Sequence, residues 1–384
     1  MLADDREGAL REAVESVADP VLFQTIGELG TLRSLRRSRH GIEAVVAVAS
    51  ERYPLADELH ARVVSALTAV AGSGAQVTVE LDAMDEAEQA ELGERLHELE
   101  MPTPVPGGPG DRPPADERSS PLAAPRSRTR VLAIASGKGG VGKSTVTVNL
   151  AVALAATGHS VGLLDADIYG FSVPRMLGVE HPPMVVGRTI VPPVAFGVRV
   201  MSTGFFVDED KAIAWRGPML HKALEQFLVD VHWGAPDFLV VDMPPGTGDV
   251  ALSVAQQLPR CELYVVTTPQ PAAQRVAQRA GALARQLRLP LRGVVENMSW
   301  FTTPDGARYA LFGTGGGAEL AATLDVPLLA RIPLVPAVRE GADDGRPVVV
   351  ADAGGEVTQV FAELADAIVA LGPARVYRTE LQIS

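Results

Sequence analysis

Residues 137–145 read GKGGVGKST, and no other stretch of this 384-residue chain constrains its fold as tightly. An apolar strand-like run, VLAIAS, leads into them, and a helix-like run, VTVNLAVALA, leads out. A strand, a glycine-rich turn and a helix start, in that order, make an anion cradle. The glycines let consecutive backbone N–H groups point inward, and the helix dipole favours negative charge at the same place. Gly137, Lys138, Gly139, Gly140, Val141 and Gly142 form the turn. Lys143 is placed to reach the β- and γ-phosphates of a nucleotide, Ser144 to ligate Mg2+, and Thr145 to assist at the α-phosphate. Lysine usage supports this reading. Only Lys138, Lys143, Lys211 and Lys222 are Lys in a chain whose other basic residues are Arg, and two of those four fall in this one loop.

From Arg130 onward, apolar runs alternate with helical ones. The pattern predicts strands over 131–136, 160–166, 198–202, 238–242, 262–268, 292–296 and 327–332. It predicts helices over 143–156, 219–231, 250–257, 272–287, 317–324 and 356–371. Strands that are apolar throughout, each followed by a helix, belong to a parallel sheet covered on both faces. The expected fold is therefore α/β, a doubly wound, mostly parallel sheet, with ligands at the carboxyl ends of its strands. Three side-chain sets fall at such ends. Asp165 and Asp167, in GLLDADIYG, are placed to orient an attacking water or to hold a metal-bound one. Asp242 closes FLVVD, four apolar residues and an aspartate, as expected of a carboxylate beside Mg2+. Asn297 ends the strand in VVENMS.

The chain before this region divides in two. Residues 1–100 alternate helix (9–17), strand (42–49), helix (55–70), strand (75–81) and helix (86–100), which predicts a small α/β domain. Residues 101–129 are dense in Pro, Gly, Ser and charge, and read as a linker; the phosphate-loop domain then spans 130–384. A net charge of −13 argues against the broad basic surface that nucleic-acid binding needs. No apolar run approaches the ~20 residues of a membrane span, and the acidic N-terminus lacks the features of a secretory signal. A cytoplasmic protein with neither nucleic acid nor membrane as partner is expected. The single cysteine, Cys261, excludes an intrachain disulfide and any intrachain CxxC site.

GKGGVGK resembles the deviant Walker A loop of the family that includes MinD, ParA, nitrogenase iron protein, ArsA and the Mrp/ApbC proteins. The resemblance implies a homodimer that hydrolyses ATP with Mg2+, in which Lys138 reaches the partner subunit's nucleotide much as an arginine finger does. It also implies that Asp165 and Asp167 belong to a first switch, with Asp167 positioning water. PPGTG, residues 244–248, resembles the second switch, in which Gly246 presents its N–H to the γ-phosphate. Asn297 corresponds to the residue that reads adenine. DADIYGFSVPRMLG, VDMPPGTGD, TTPQPAAQRVA and ENMSWF together look like the Mrp/ApbC group. Asp19-Pro20, Glu28-Leu29-Gly30 and YPLADEL resemble the small domain of iron–sulfur maturation factors. The implied function is iron–sulfur cluster assembly, binding or transfer to apoprotein clients, with assembly factors as further partners. The alternative is a nucleotide-switched adaptor or positioning ATPase of MinD/ParA type that holds no cluster.

One departure bears on that choice. Many relatives carry a CxxC after ENMS that lets a dimer hold a 4Fe-4S cluster; here Thr303 and Gly306 fall at those positions. Tyr53 likewise replaces the small domain's usual cysteine. Cys261 begins an apolar strand and reads as a small buried hydrophobe.

Overall fold

Leu132, Leu163, Val240, Val265 and Val294 stand on five different strands, and each is 0% exposed. Burial to that degree requires cover on both faces of one sheet. In the computed structural model, which describes residues 4–38, 41–100, 120–124, 127–167, 170–206, 217–245, 249–270, 273–303 and 305–374, that sheet has eight strands. Their order across it is Leu328–Arg331, Leu291–Glu296, Glu262–Thr267, Arg130–Ser136, Phe238–Asp242, Val161–Asp165, Val198–Ser202 and Val194–Ala195. All neighbours pair in parallel except the last two, so an antiparallel edge closes a parallel sheet. The expected doubly wound α/β fold is what the chain adopts.

The strand before the phosphate loop lies between Phe238–Asp242 and Glu262–Thr267, so the loop emerges at a reversal of strand order. Ligands bind at such a crevice in open α/β sheets. Helix Lys143–Ala156 follows, and its buried residues run without a break from Val146 to Leu154. Val357, Phe361, Leu364 and Ile368 of helix Glu356–Ala370 share its core. The opposite end of the central strands is held by a buried carboxylate. Glu262 accepts from Arg130 Nη2 at 2.8 Å and from the Tyr264 hydroxyl at 2.9 Å. Arg130 also donates to the Ile368 carbonyl, tying in the last helix.

The other compact unit comprises 1–104, 183–193 and 230–234. Its sheet is Leu32–Ser38, Gly41–Val48 and Val77–Ala83, the first pair antiparallel and the second parallel. Helix Ala56–Ala71 makes the crossover and buries Leu59, Val63 and Leu67. Asp19 N-caps the turn after Pro20, accepting from Val21 N and Leu22 N at 2.8 Å, and takes a third bond from the Tyr53 hydroxyl at 2.8 Å. The Asp-Pro and the tyrosine are thus halves of one buried contact. The segments 183–193 and 230–234 come from chain expected to belong wholly to the larger domain. Met184–Val186 and Thr189–Val191 form a hairpin whose Val186 and Val191 enter the small unit's core.

Candidate functional site

The phosphate loop is shaped by backbone conformations that few side chains tolerate. Gly140 and Gly142 have φ of 75° and 78°, in the left-handed region that glycine enters without cost. A methyl group on Gly142 would also collide with Asn297 Nδ2. Gly142 then caps helix Lys143–Ala156, so the loop delivers its N–H groups at a helix N-terminus.

Behind the loop, five side chains converge. Lys143 Nζ lies 2.6 Å from Asp242 Oδ1 and 3.9 Å from Asp167 Oδ2. Ser144 donates to Asp242 Oδ2 at 2.6 Å. Thr147, one helical turn beyond Lys143 and 0% exposed, brings its hydroxyl within 2.8 Å of Asp242 Oδ1 and 2.9 Å of the Lys143 carbonyl. Register explains the meeting of the acids: Asp242 is the direct cross-strand partner of Asp165. Burial, and then the charge of Asp242, push the Asp165 carboxyl up to about 7. Asp167 is raised as well, by burial first, with Lys143 opposing. Asp165 also holds the chain that follows its strand. It accepts from Asp167 N, Ser172 N and Val173 N, and from the Ser202 hydroxyl, at 3.1–3.3 Å.

This set fits a magnesium nucleotide. The loop offers N–H donors and an ammonium for phosphate, and Ser144 with the carboxylates offers the hard oxygen donors that Mg2+ prefers. Ser136 Oγ and Thr268 Oγ1, at the ends of neighbouring strands beside the loop, are buried with no hydrogen-bond partner among the described residues, as a polar ligand site requires.

Other expected residues take less expected places. Lys138 hydrogen-bonds Gln270 Oε1 of its own chain. Arg279, from helix Ala273–Leu287, donates to the Gly137 carbonyl at 3.1 Å. Gln270 and Arg279 thus hold both ends of the Gly137–Lys138 dipeptide from one stretch of chain. Asn297 donates to the Val141 carbonyl at 2.9 Å. Thr145 offers its carbonyl to Asn149. Gly246, expected in a second switch, lies outside the described residues. Thr147 and Arg279 were not expected at the site, and only Thr147, at helical spacing from Lys143, carried a readable signal; Gln270, in TTPQ, was expected nearby but without a role of its own.

The cysteine positions are filled by turn chemistry. Thr303 and Gly306 belong to the turn between Phe301–Thr302 and Arg308–Tyr309; Thr303 bonds Asp305 and the Ala307 carbonyl, and Gly306 has φ of 85°. Cys261 is 0% exposed, and burial drives its thiol pKa well above the ordinary range. The thiolate that would ligate iron is therefore disfavoured. Among the described residues no group of three His, Cys, Asp or Glu is arranged to hold a metal ion, and no helix is long and apolar enough to cross a membrane.

A parallel sheet whose central strand opens into this loop, with Lys143, Ser144 and Asp242 gathered behind it, defines a P-loop nucleotide-binding protein. The family described as the NUBPL iron-transfer P-loop NTPases matches residues 127–369, and the chain belongs to it. The iron-sulfur cluster carrier protein of Mycobacterium leprae is 44% identical over 373 residues, 95% of this chain and 93% of that one. That of Bacillus subtilis is 42% identical over 333 residues, covering 86% and 88%. Among solved structures, a nucleotide-binding protein from Archaeoglobus fulgidus in complex with ADP matches with 35% identity and a TM-score of 0.53, over 60% of this chain and 91% of that one. These relatives bear out the resemblance to the Mrp/ApbC group and favour the carrier reading over the positioning one.

Proposed function

We propose that this chain hydrolyses ATP as a cytoplasmic homodimer and acts in the assembly or transfer of iron–sulfur clusters to apoprotein clients. The observation that carries the reading is the meeting of Lys143, Ser144 and Asp242 at the phosphate loop, in a chain alignable with cluster carriers over nearly its whole length. Lys143 binds the β- and γ-phosphates, and the loop from Gly137 to Gly142 surrounds them with N–H groups. Ser144, Asp242 and Asp165 supply oxygens toward Mg2+, which offsets negative charge on the phosphates when bound. Asp167, close to Lys143, orients the attacking water. Lys138 acts on the nucleotide of the facing subunit, leaving Gln270 to do so.

The cluster is cargo on this reading. A cluster needs several soft thiolates, and each chain has one buried thiol, so assembly factors or clients contribute most ligands. That same shortage favours a second reading, an adaptor that brings partners together under nucleotide control and touches no cluster. Lys143→Ala should abolish ATP binding in calorimetry, whereas Lys138→Ala should keep it and lower turnover at least tenfold. Undiminished turnover in Lys138→Ala removes the inter-subunit role. Anaerobic transfer assays with a loaded scaffold and an apoprotein, followed by re-isolation of this chain, separate the two readings: ATP-dependent transfer with no iron or sulfide ever found on this chain leaves the adaptor.

A further inference from the structure

Asn297 sits at a strand end where an amide could face a bound base, and each end of its amide makes one bond inside the chain while keeping a second N–H and a second lone pair. Its Nδ2 donates to the Val141 carbonyl at 2.9 Å, and its Oδ1 accepts from Met298 N at 3.0 Å. Turning the amide over would break both bonds at once, so the two contacts fix its orientation. The residue is 7% exposed, and Val141 is 1% exposed. The Val141 carbonyl thus lies where a lost donor is not readily replaced by water.

The backbone around Asn297 is equally fixed. Its own N–H donates to the Thr267 carbonyl at 2.8 Å, and Met298 follows at φ of 58°, unusual for a side chain of that size. On one side, Glu296 accepts from Ser299 Oγ at 2.9 Å, Gly317 N at 2.6 Å and Arg331 Nε at 3.1 Å. On the other, Ser299 N donates to the Ile332 carbonyl at 2.9 Å. A rigid strand end therefore presents one amide to one loop peptide. That peptide joins Val141 to Gly142, the left-handed residue that caps the phosphate-binding helix, and Gly142 has no room for a methyl group because Asn297 Nδ2 stands against it.

We propose that Asn297 is a positioning residue of the phosphate loop: its amide holds the Val141–Gly142 peptide, and triphosphate affinity depends on it whatever base the nucleotide carries. The inference rests on the reading of the loop as a triphosphate site. A base-reading residue contributes only to ligands that have the right base. A loop-positioning residue contributes equally to ATP, to GTP and to inorganic triphosphate, which has no base.

The test is calorimetry of the full chain and of Asn297→Ala with those three ligands. The expected result is a loss of about tenfold or more for all three, inorganic triphosphate included. Asn297→Asp keeps the shape but turns an oxygen toward the Val141 carbonyl, and should show the same base-independent loss. Weakened ATP binding with unchanged inorganic triphosphate binding overturns the proposal, and so does unchanged affinity for all three. The unmodified protein gives an independent readout should either variant fold poorly. Inorganic triphosphate alone should shift the NMR signal of the Asn297 side-chain amide; a signal that adenosine moves and triphosphate does not overturns the proposal too. Lys143→Ala serves as the control. If it retains triphosphate binding, the loop reading itself fails; if it loses binding while Asn297→Ala binds inorganic triphosphate as wild type does, only the role of Asn297 fails.

Discussion

At the scale of single residues, the site depends on how one carboxylate is shared. Asp242 Oδ2 takes the Ser144 hydroxyl, and Oδ1 takes the Lys143 ammonium with the Thr147 hydroxyl beside it. That hydroxyl has one proton and two acceptors in reach, and the ionised carboxylate is the stronger. Thr147→Val keeps the shape and removes the donor. We expect its half-saturating Mg2+ concentration for ATP turnover to rise about fivefold, from a lost bond of about 1 kcal/mol, with nucleotide binding in EDTA unchanged and Thr147→Ser restoring it. An equal Mg2+ requirement in Thr147→Val and wild type removes Thr147 from the site. Asp165 makes a prediction about pH. Its carboxyl, raised to about 7 by burial and by Asp242, keeps its proton in the folded chain across a range where the unfolded chain, near 4, has released it. The folded state then binds the extra proton between about pH 4 and pH 7. Stability from this group is thus greatest at the acid end, falls as pH rises through that window, and is level above it. Urea unfolding of nucleotide-free, Mg2+-free protein should show wild type losing ground to Asp165→Asn between pH 5 and 7. A constant difference between the two would contradict the buried, proton-holding environment.

Among elements, the strength of the sequence signal followed burial. Helix Lys143–Ala156 and strands Val198–Ser202 and Phe238–Asp242 have the bounds expected, because apolar runs buried on all sides leave little freedom to place them elsewhere. Strand Leu32–Ser38, LRSLRRS, went unseen: only Leu35 is buried, and its conformation comes from pairing with Gly41–Val48 at the sheet edge. The site divides in the same way. The glycine loop and Asp242 are local patterns, whereas Lys138–Gln270 and Arg279–Gly137 join positions 132 and 142 residues apart, which periodicity cannot reveal. The start of helix Gly316–Leu324 shows how tightly such distant partners fit. A methyl on Gly317 would lie 2.7 Å from Glu296 Cβ and Oε2, and Gly317 N already donates to that carboxylate. Gly317→Ala should cost about 1–3 kcal/mol in urea unfolding. Gly354→Ala, with nothing within 4 Å, is the matched control and should stay within about 0.5 kcal/mol. Equal midpoints for the two variants would mean that the Glu296 contact yields without strain.

For the whole molecule, the consequential feature is that the small unit is not one continuous length of chain. Val186 and Val191, 0% and 1% exposed, belong to its core but lie more than eighty residues beyond Glu100. Thr189 donates to the Gly93 carbonyl at 3.1 Å, and His232 Nε2 lies 2.9 Å from the Leu22 carbonyl. Leu92 and Leu96, buried in the same cluster, come from helix Glu86–Glu100, which is charged and weakly apolar and so depends on such cover. Truncating a buried valine to alanine removes two methyl-sized groups and leaves a cavity, a cost of about 2 kcal/mol. Val186→Ala and Val191→Ala should therefore each lower protection of the Leu59–Leu67 and Leu92–Leu96 amides in hydrogen exchange by about thirtyfold. ATP affinity should not change, since every contact drawn to the phosphate loop lies in the other unit. A fragment of residues 1–104 should be less protected still, because it lacks both valines and the Thr189 and His232 contacts. Equal protection of the fragment and the full chain would show that the small unit stands without the hairpin, and that its boundary lies at the linker, where composition alone had placed it.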